Sequence, residues 1–122
     1  MKKLKPLPKL LKEAQIVFNR WIREVRDKDE PCISCGKFKE DMQAGHYVPQ
    51  NKSSYLRFNE WNVSAECSGC NCFDSFHLVG YRKNLIKKIG EENVEWLEEN
   101  RFILHSWSRE QLNEIIQKYS IK

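Results

Sequence analysis

Two CxxC motifs constrain the fold of this chain more than any other feature: CISC at residues 32–35 and CSGC at residues 67–70. Each motif can present two sulfur atoms to one ion from a single turn, and four thiolates in tetrahedral geometry are typical of structural zinc. The pattern predicts one structural Zn²⁺ with the ligands Cys32, Cys35, Cys67 and Cys70. Such a site is closed to water, so any chemistry requires a second site.

Other uses of the cysteines are weaker. The chain has no apolar run near the ~20 residues of a membrane span, and its start, MKKLKPLPKLLKEAQ, carries charges where a signal peptide is apolar. We therefore expect a cytoplasmic protein without membrane contact, where disulfides are rare, and five cysteines cannot all pair. A redox CxxC or two incidental pairs remain as alternatives. Cys72 lies outside the pattern and is expected to be a small buried thiol.

The predicted fold class is α+β, in one domain over residues 1–122. Apolar residues at helical spacing predict a basic amphipathic helix over residues 8–28. Residues 30–90 are expected to form a zinc-stabilised core, with a hairpin between residues 42 and 66 and then a helix ending at Gly90. Helices within 91–120 follow, the last opened by a capping box from Ser108 to Gln111.

The helix that follows CSGC carries two detailed expectations. Asp74 or Ser75 is predicted to cap its start. Its inner face is predicted to consist of the apolar residues Phe76, Val79, Leu85, Ile86 and Ile89.

Charge is distributed unevenly along the chain. The formal net charge is +4, and four thiolates around one Zn²⁺ would lower it by two, so net charge alone is weak evidence for nucleic acid. Residues 1–28 nevertheless carry nine lysines and arginines, whereas residues 91–99 carry five glutamates. Clustered cations attract phosphates, although a solvated helix face explains the basic segment about equally well.

A second constellation runs through the two CxxC motifs. His46 lies on the first predicted strand, Asn62 precedes CSGC, and Asn71 directly follows Cys70. This order resembles the zinc-containing HNH nucleases, which have a ββα-metal fold. The resemblance implies that His46 is the general base, that Asn71 gives an oxygen to a catalytic Mg²⁺ or Mn²⁺, and that Asn62 holds His46 or the loop.

Longer runs also match in order. PCISCG, AGHY, LRFNEWNVSAECSGCN and VGYRKNLIKKIGEENVEWLE closely resemble the lambdoid phage NinG family, also called Rap. The resemblance implies a phage- or prophage-encoded endonuclease that cuts Holliday junctions and D-loops in the bacterial cytoplasm. Cutting two strands favours a homodimer, and a partner recombination protein is left open.

One position departs from the HNH pattern. Many such sites carry Asp or His directly before the catalytic histidine, whereas this chain has Gly45. His77 is the first candidate to complete the catalytic metal shell, and Asp74 is the second. If neither does, the alternative is a non-catalytic zinc module that binds DNA or a recombination protein.

The expected DNA-binding surface consists of scattered cations, because branched DNA is recognised through shape and phosphates. The candidates are Lys52, Arg57, Arg82, Lys83, Lys87 and Lys88. Each of them is also compatible with an ordinary solvated surface charge.

Overall fold

The first helix, α1, spans Leu7–Trp21 in a computed structural model that describes residues 4–121. Pro6 is its N-cap residue, and the chain continues from Trp21 into a wider helical turn, Ile22–Arg26. This continuous helical segment corresponds to the helix expected over residues 8–28 and ends at Arg26. Its buried face carries Leu10, Ala14, Gln15 and Phe18.

The sheet consists of two antiparallel strands, β1 (Met42–His46) and β2 (Val63–Cys67). Their register pairs Met42 with Cys67 and His46 with Val63. Residues 47–62 form the intervening loop, which contains a short 3₁₀ turn, Tyr55–Phe58. The predicted hairpin with a long loop is therefore present, and together with the helices it gives an α+β fold.

After β2, the wide turn Gly69–Phe73 leads to α2, which spans His77–Ile89 and ends at Gly90. Two expectations for this helix are wrong. Its N-cap residue is Phe76, and neither Asp74 nor Ser75 caps it; Asp74 Oδ1 instead accepts the Phe76 N–H at 2.9 Å.

The predicted inner face of α2 is also partly wrong. Phe76 and Val79 are 76% and 72% exposed. The predicted Leu85 is fully buried, as is Tyr81, and the predicted Ile86 and Ile89 are partly buried against the same cluster. The buried face of α2 is defined by Tyr81 and Leu85, one turn apart, which pack with the loop and α3.

Two more helices complete the described chain, α3 (Glu91–Glu99) and α4 (Arg109–Tyr119). The capping box is confirmed: Ser108 Oγ accepts the Gln111 N–H, and the Gln111 side chain accepts the Ser108 N–H. Helix α4 packs along α1. No helix in the described part of the chain is long and apolar enough to cross a bilayer.

The hairpin lies between two buried apolar clusters. One cluster joins α1 and α4 to β2 and the loop through Leu10, Ala14, Phe18, Ile22, Phe58, Val63, Leu112 and Tyr119. The other joins α2 and α3 to the first cysteine turn and the loop through Ile33, Val48, Leu56, Tyr81, Leu85, Val94 and Leu97. The strands thus contribute Val63 to the first cluster, whereas the loop between them contributes to both clusters.

A buried carboxylate fixes the end of the first helical segment against the sheet. Asp27 is 3% exposed and accepts hydrogen bonds from Arg26 Nε at 2.9 Å, the Ala65 N–H at 2.9 Å and Lys88 Nζ at 3.0 Å. Burial alone would raise the pKa of Asp27, but the bonds from Arg26 and Ala65 and the charge of Lys88 hold it below its usual value. The α1 end, β2 and α2 are thereby joined at one point.

Candidate functional site

The four cysteines of the two CxxC motifs form one cluster. Their sulfur atoms all lie within 4.8 Å of one another, and Cys35 Sγ is 4.0 Å from Cys67 Sγ. Four sulfur donors at this spacing suit a tetrahedral ion such as zinc. The cluster can therefore hold a metal ion, and it consists of the four residues that the sequence predicted.

The surroundings of the cluster shift the pKa values of its thiols in opposite directions. Cys32 Sγ accepts the N–H groups of Cys35 at 3.5 Å and Cys67 at 3.3 Å, and these bonds lower the pKa of Cys32 although its burial opposes this. Burial raises the pKa values of Cys67 and Cys70, and the neighbouring Cys32 thiol raises both further. A bound cation would remove that repulsion.

Helix α2 packs directly against the first cysteine turn. Asn84 Nδ2 donates to the Ile33 carbonyl at 2.8 Å, and Gly80 lies where a Cβ atom would come within 2.1 Å of the Ser34 carbonyl oxygen. Glycine at this position therefore permits close packing of helix and turn. The cluster thus fixes α2 relative to the hairpin.

Beside the cluster, a pocket of about 490 Å³ opens at the edge of β1. It is lined by Ala44, His46, Pro49, Gln50, Asn51, Asn71, His77 and Leu78. The structure thus brings together three residues predicted from the sequence, although His46 lies on a strand, Asn71 on the turn after CSGC, and His77 on α2.

His46 is held in one ring orientation by the loop. Its Nε2 lies 3.2 Å from the Arg57 carbonyl oxygen, which can accept a proton carried on Nε2, and 3.5 Å from Gln15 Nε2. Burial lowers the pKa of His46 to about 4, and the positive charge of Arg57 acts in the same direction. The ring is therefore neutral at neutral pH.

The Arg57 side chain is held by two glutamines. Its Nε donates to Gln15 Oε1 at 2.8 Å, and its NH2 group donates to Gln50 Oε1 at 3.2 Å. Gln15 on α1 also donates to the Arg57 carbonyl at 3.2 Å, next to His46. The basic helix therefore reaches the pocket through Gln15, a contact that the sequence did not indicate.

The two asparagines have different environments. Asn71 Nδ2 donates to Gln43 Oε1 at 2.8 Å, which orients the amide and leaves its oxygen, Oδ1, outside that bond. Asn62 is fully buried and lies away from the pocket: its amide bonds the Val48 N–H at 2.8 Å and the carbonyls of Val48 and Leu56 at 3.0 and 3.2 Å. Asn62 thus holds the loop rather than His46.

His77 forms a hydrogen bond with the carboxylate of Glu66, a residue that was not predicted from the sequence. His77 Nδ1 donates to Glu66 Oε2 at 2.6 Å, and the same oxygen accepts the Ser34 hydroxyl. Glu66 is fully buried on β2. The sequence carried one signal for this carboxylate, because Glu66 is the charged residue in a strand, VSAEC, whose other residues are apolar or small.

Two further expectations receive no support from the geometry. Asp74 is exposed and does not line the pocket. Cys72 is exposed rather than buried, and its sulfur lies 3.4 Å from Gln43 Oε1, so the expectation of a buried thiol is wrong.

The predicted DNA-binding cations divide into paired and exposed groups. Arg82 pairs with Glu98 at 2.8 Å, and Lys88 pairs with Asp27. Lys52, Lys83 and Lys87 are exposed. Arg57 is half-buried behind the pocket, where its guanidinium bonds Gln50.

Comparison with known proteins identifies the family. The family described as "Bacteriophage Lambda NinG protein" matches residues 1–122. The chain belongs to the NinG family. It is 42% identical over 120 residues to protein ninG of Escherichia phage lambda and 40% identical over 120 residues to protein ninG of Salmonella phage P22.

These alignments cover 98% of this chain and 58% of each of the two NinG relatives. The chain thus spans about three-fifths of the length of the curated NinG proteins that it matches. No solved structure matches it.

Proposed function

We propose that this NinG-family protein is an HNH-type endonuclease that hydrolyses phosphodiester bonds in branched DNA, such as Holliday junctions and D-loops, during phage recombination. The observation that carries the proposal is the convergence of His46, Asn71 and His77 on one pocket beside the cysteine cluster. The hairpin followed by a helix supports a ββα-metal arrangement of these residues.

In this proposal the two metals have separate roles. A Zn²⁺ ion on Cys32, Cys35, Cys67 and Cys70 is structural, because four sulfur ligands leave it closed. A Mg²⁺ or Mn²⁺ ion would be held by Asn71 Oδ1 and His77, with Asp74 as a weaker candidate because it lies outside the pocket. That ion would stabilise the negative charge that develops on the phosphate and on the leaving oxygen.

His46 is suited to accept a proton from the attacking water. In the tautomer in which Nε2–H donates to the Arg57 carbonyl, Nδ1 would be the basic atom. With a pKa of about 4 the ring is deprotonated at neutral pH, and the negative charge of a bound phosphate would raise that pKa towards the working range of a base. Asn62 supports this step indirectly by holding the loop that contains Arg57.

DNA would contact the pocket through phosphates. Lys52 on the loop, with Lys83 and Lys87 on α2, offers exposed charge for such contacts. Arg57 and Arg82 are already bonded to protein groups and would contribute by exchanging those bonds. A homodimer with two pockets would allow both strands to be cut, and a recombination protein is a further proposed partner in the host cytoplasm.

The test is cleavage of a labelled four-way junction and of a matched linear duplex in Mg²⁺ or Mn²⁺ by the zinc-loaded protein. We compare wild type, His46→Ala and the control His105→Ala, which removes a histidine bonded to Gln111 outside the pocket. Wild type and His105→Ala should cut the junction preferentially, and His46→Ala should lose at least 100-fold in rate. Folded wild-type protein that binds junctions but cuts no DNA in any divalent ion would instead establish a non-catalytic binding module.

A further inference from the structure

Glu66 is a buried carboxylate at the back of the pocket. It is fully buried, its Oε2 accepts the His77 Nδ1–H at 2.6 Å, and the Ser34 hydroxyl donates to the same oxygen. Its other oxygen, Oε1, has no hydrogen-bond partner among the described residues. Both bonds therefore fall on the oxygen that faces His77.

The space for this carboxylate is provided by Gly45 on the neighbouring strand. A Cβ atom at position 45 would lie 2.2 Å from Glu66 Oε1 and 2.9 Å from Glu66 Cβ. The backbone itself does not require glycine here, because the positive-φ glycines of the described chain are Gly36 and Gly90. Gly45 is thus needed for the room that it leaves to Glu66.

The bond to Glu66 determines which nitrogen of His77 is available to the pocket. A carboxylate that accepts the Nδ1–H fixes the tautomer and the ring orientation. It also makes the opposite nitrogen more basic and therefore a better ligand for a cation. His77 lines the pocket with His46 and Asn71, while Glu66 lies behind it. The nitrogen left for a ligand is therefore Nε2.

We propose that Glu66 is a positioning residue that holds His77 in the Nδ1–H tautomer, so that Nε2 can bind the divalent cation of the pocket. The acidic group absent at Gly45 is thereby supplied from β2, one strand across, and it acts through His77. This inference rests on the proposed function, because it concerns the same cation site.

The test compares wild type with Glu66→Gln and Gly45→Ala, each loaded with zinc. Gly45→Ala displaces the carboxylate by steric contact, whereas Glu66→Gln removes its charge in place. The matched control is Asp41→Asn, which neutralises a carboxylate bonded to Ser68, beside Cys67 but outside the pocket. Zinc content and thermal unfolding establish that each variant retains the fold and the cysteine cluster, to which Glu66 is adjacent in sequence.

Two readouts do not depend on DNA cleavage. Long-range ¹H–¹⁵N spectra at neutral pH should show His77 protonated on Nδ1 in wild type and in Asp41→Asn, and shifted towards Nε2–H in Glu66→Gln. Calorimetric titration with Mn²⁺ should show binding that is weaker by about 10- to 100-fold in Glu66→Gln and Gly45→Ala, and unchanged in Asp41→Asn. Variants that lose zinc or fold are replaced by Glu66→Asp, which keeps the charge but shortens the reach and should also weaken Mn²⁺.

The outcomes separate this inference from the proposed function. Mn²⁺ binding that depends on Glu66, in a wild-type protein that cuts no DNA, would support the positioning role and overturn the endonuclease. Junction cleavage with equal Mn²⁺ affinity in wild type and folded Glu66→Gln would support the endonuclease and overturn the positioning role. A wild-type His77 protonated on Nε2 alone, or a wild type that binds no Mn²⁺, would also overturn the positioning role.

Discussion

The cysteine cluster and the histidine pocket use the same hairpin in different ways. The cluster takes its sulfurs from two CxxC segments, each of which carries two sulfurs at fixed local spacing. The pocket takes its groups from β1, the loop, the turn after CSGC and α2, and none of these segments holds more than one of the three residues His46, Asn71 and His77. The cluster is thus a locally encoded site, whereas the pocket exists only when four segments are packed correctly.

This difference implies a hierarchy, in which the pocket depends on the cluster but the cluster does not depend on the pocket. Loss of the cluster should destroy the pocket, because the cluster fixes α2 and the turn that carries Asn71. Loss of single pocket groups should leave the cluster intact. The following experiments test that hierarchy in order of decreasing effect.

Removal of metal from the cysteine cluster is expected to have the largest effect. Structural zinc contributes on the order of 10 kcal/mol to folding in small zinc domains, so chelation or Cys32→Ser should abolish cooperative unfolding. Circular dichroism and metal analysis measure this. Cys72→Ser, which changes an exposed cysteine outside the cluster, is the control and should melt like wild type. A metal-free protein with an unchanged melting curve would contradict the expectation that the pocket depends on the cluster.

Asn62→Ala should be the most destabilising single change outside the cysteine cluster. The substitution leaves the N–H and carbonyl groups of Val48 and the Leu56 carbonyl without their partner, at a cost of about 3 to 4 kcal/mol in the free energy of unfolding. Urea unfolding with retained zinc content measures it. The exposed Asn113→Ala on α4 is the control, and a loss no larger than that of the control would contradict a loop-holding role.

His46 predicts a pH dependence of stability with a defined sign. Its pKa is about 4 in the folded protein against an ordinary 6.5, so the unfolded chain binds more protons between these values and stability falls as pH falls from 6.5 to 4. The loss is on the order of 3 kcal/mol. Urea unfolding at several pH values across this range measures the free energy of unfolding. Its dependence on pH should be weaker in His46→Gln than in wild type or His105→Gln. Equal pH dependence in all three proteins would show that groups other than His46 cause it.

Gly80→Ala tests how tightly the cluster and α2 are joined. The added Cβ would approach the Ser34 carbonyl oxygen to 2.1 Å and push the helix from the first cysteine turn, at a cost of about 2 kcal/mol. The control is Gly69→Ala, where the nearest atom would be 4.0 Å away. Thermal unfolding measures the packing of α2 on the cysteine turn, and Mn²⁺ titration measures the pocket. Unchanged Mn²⁺ binding in a destabilised variant would show that the pocket tolerates movement of α2.

The smallest expected effect concerns the exposed cations. Lys52→Ala should weaken junction binding a few-fold and reduce the slope of log affinity against log salt concentration by about 1, as for one lost phosphate contact. Arg82→Ala should change the slope less, because Arg82 is paired with Glu98. Fluorescence anisotropy at several salt concentrations measures both, and the reverse order would place the DNA path along α2 rather than over the loop.

The sequence by itself determined the elements that depend on local pattern. The four cysteine ligands follow from the CxxC spacing, the hairpin from the alternating segments between them, and the last helix from its capping box. His46 and Asn71 were predicted because their order relative to the cysteines resembles that of HNH nucleases, and both line the pocket. Such features are encoded within a few residues, so they can be recognised before the chain is folded.

The tertiary structure decided what lies between segments. The sequence indicated neither the hydrogen bond between Glu66 and His77 nor the one between Gln15 and Arg57. Each of these bonds joins residues on different elements. Phe76 and Val79 are likewise exposed, although their apolar character suggested an inner face. Periodicity shows that a helix has an apolar face, but which residues are buried depends on where the helix begins and what packs against it.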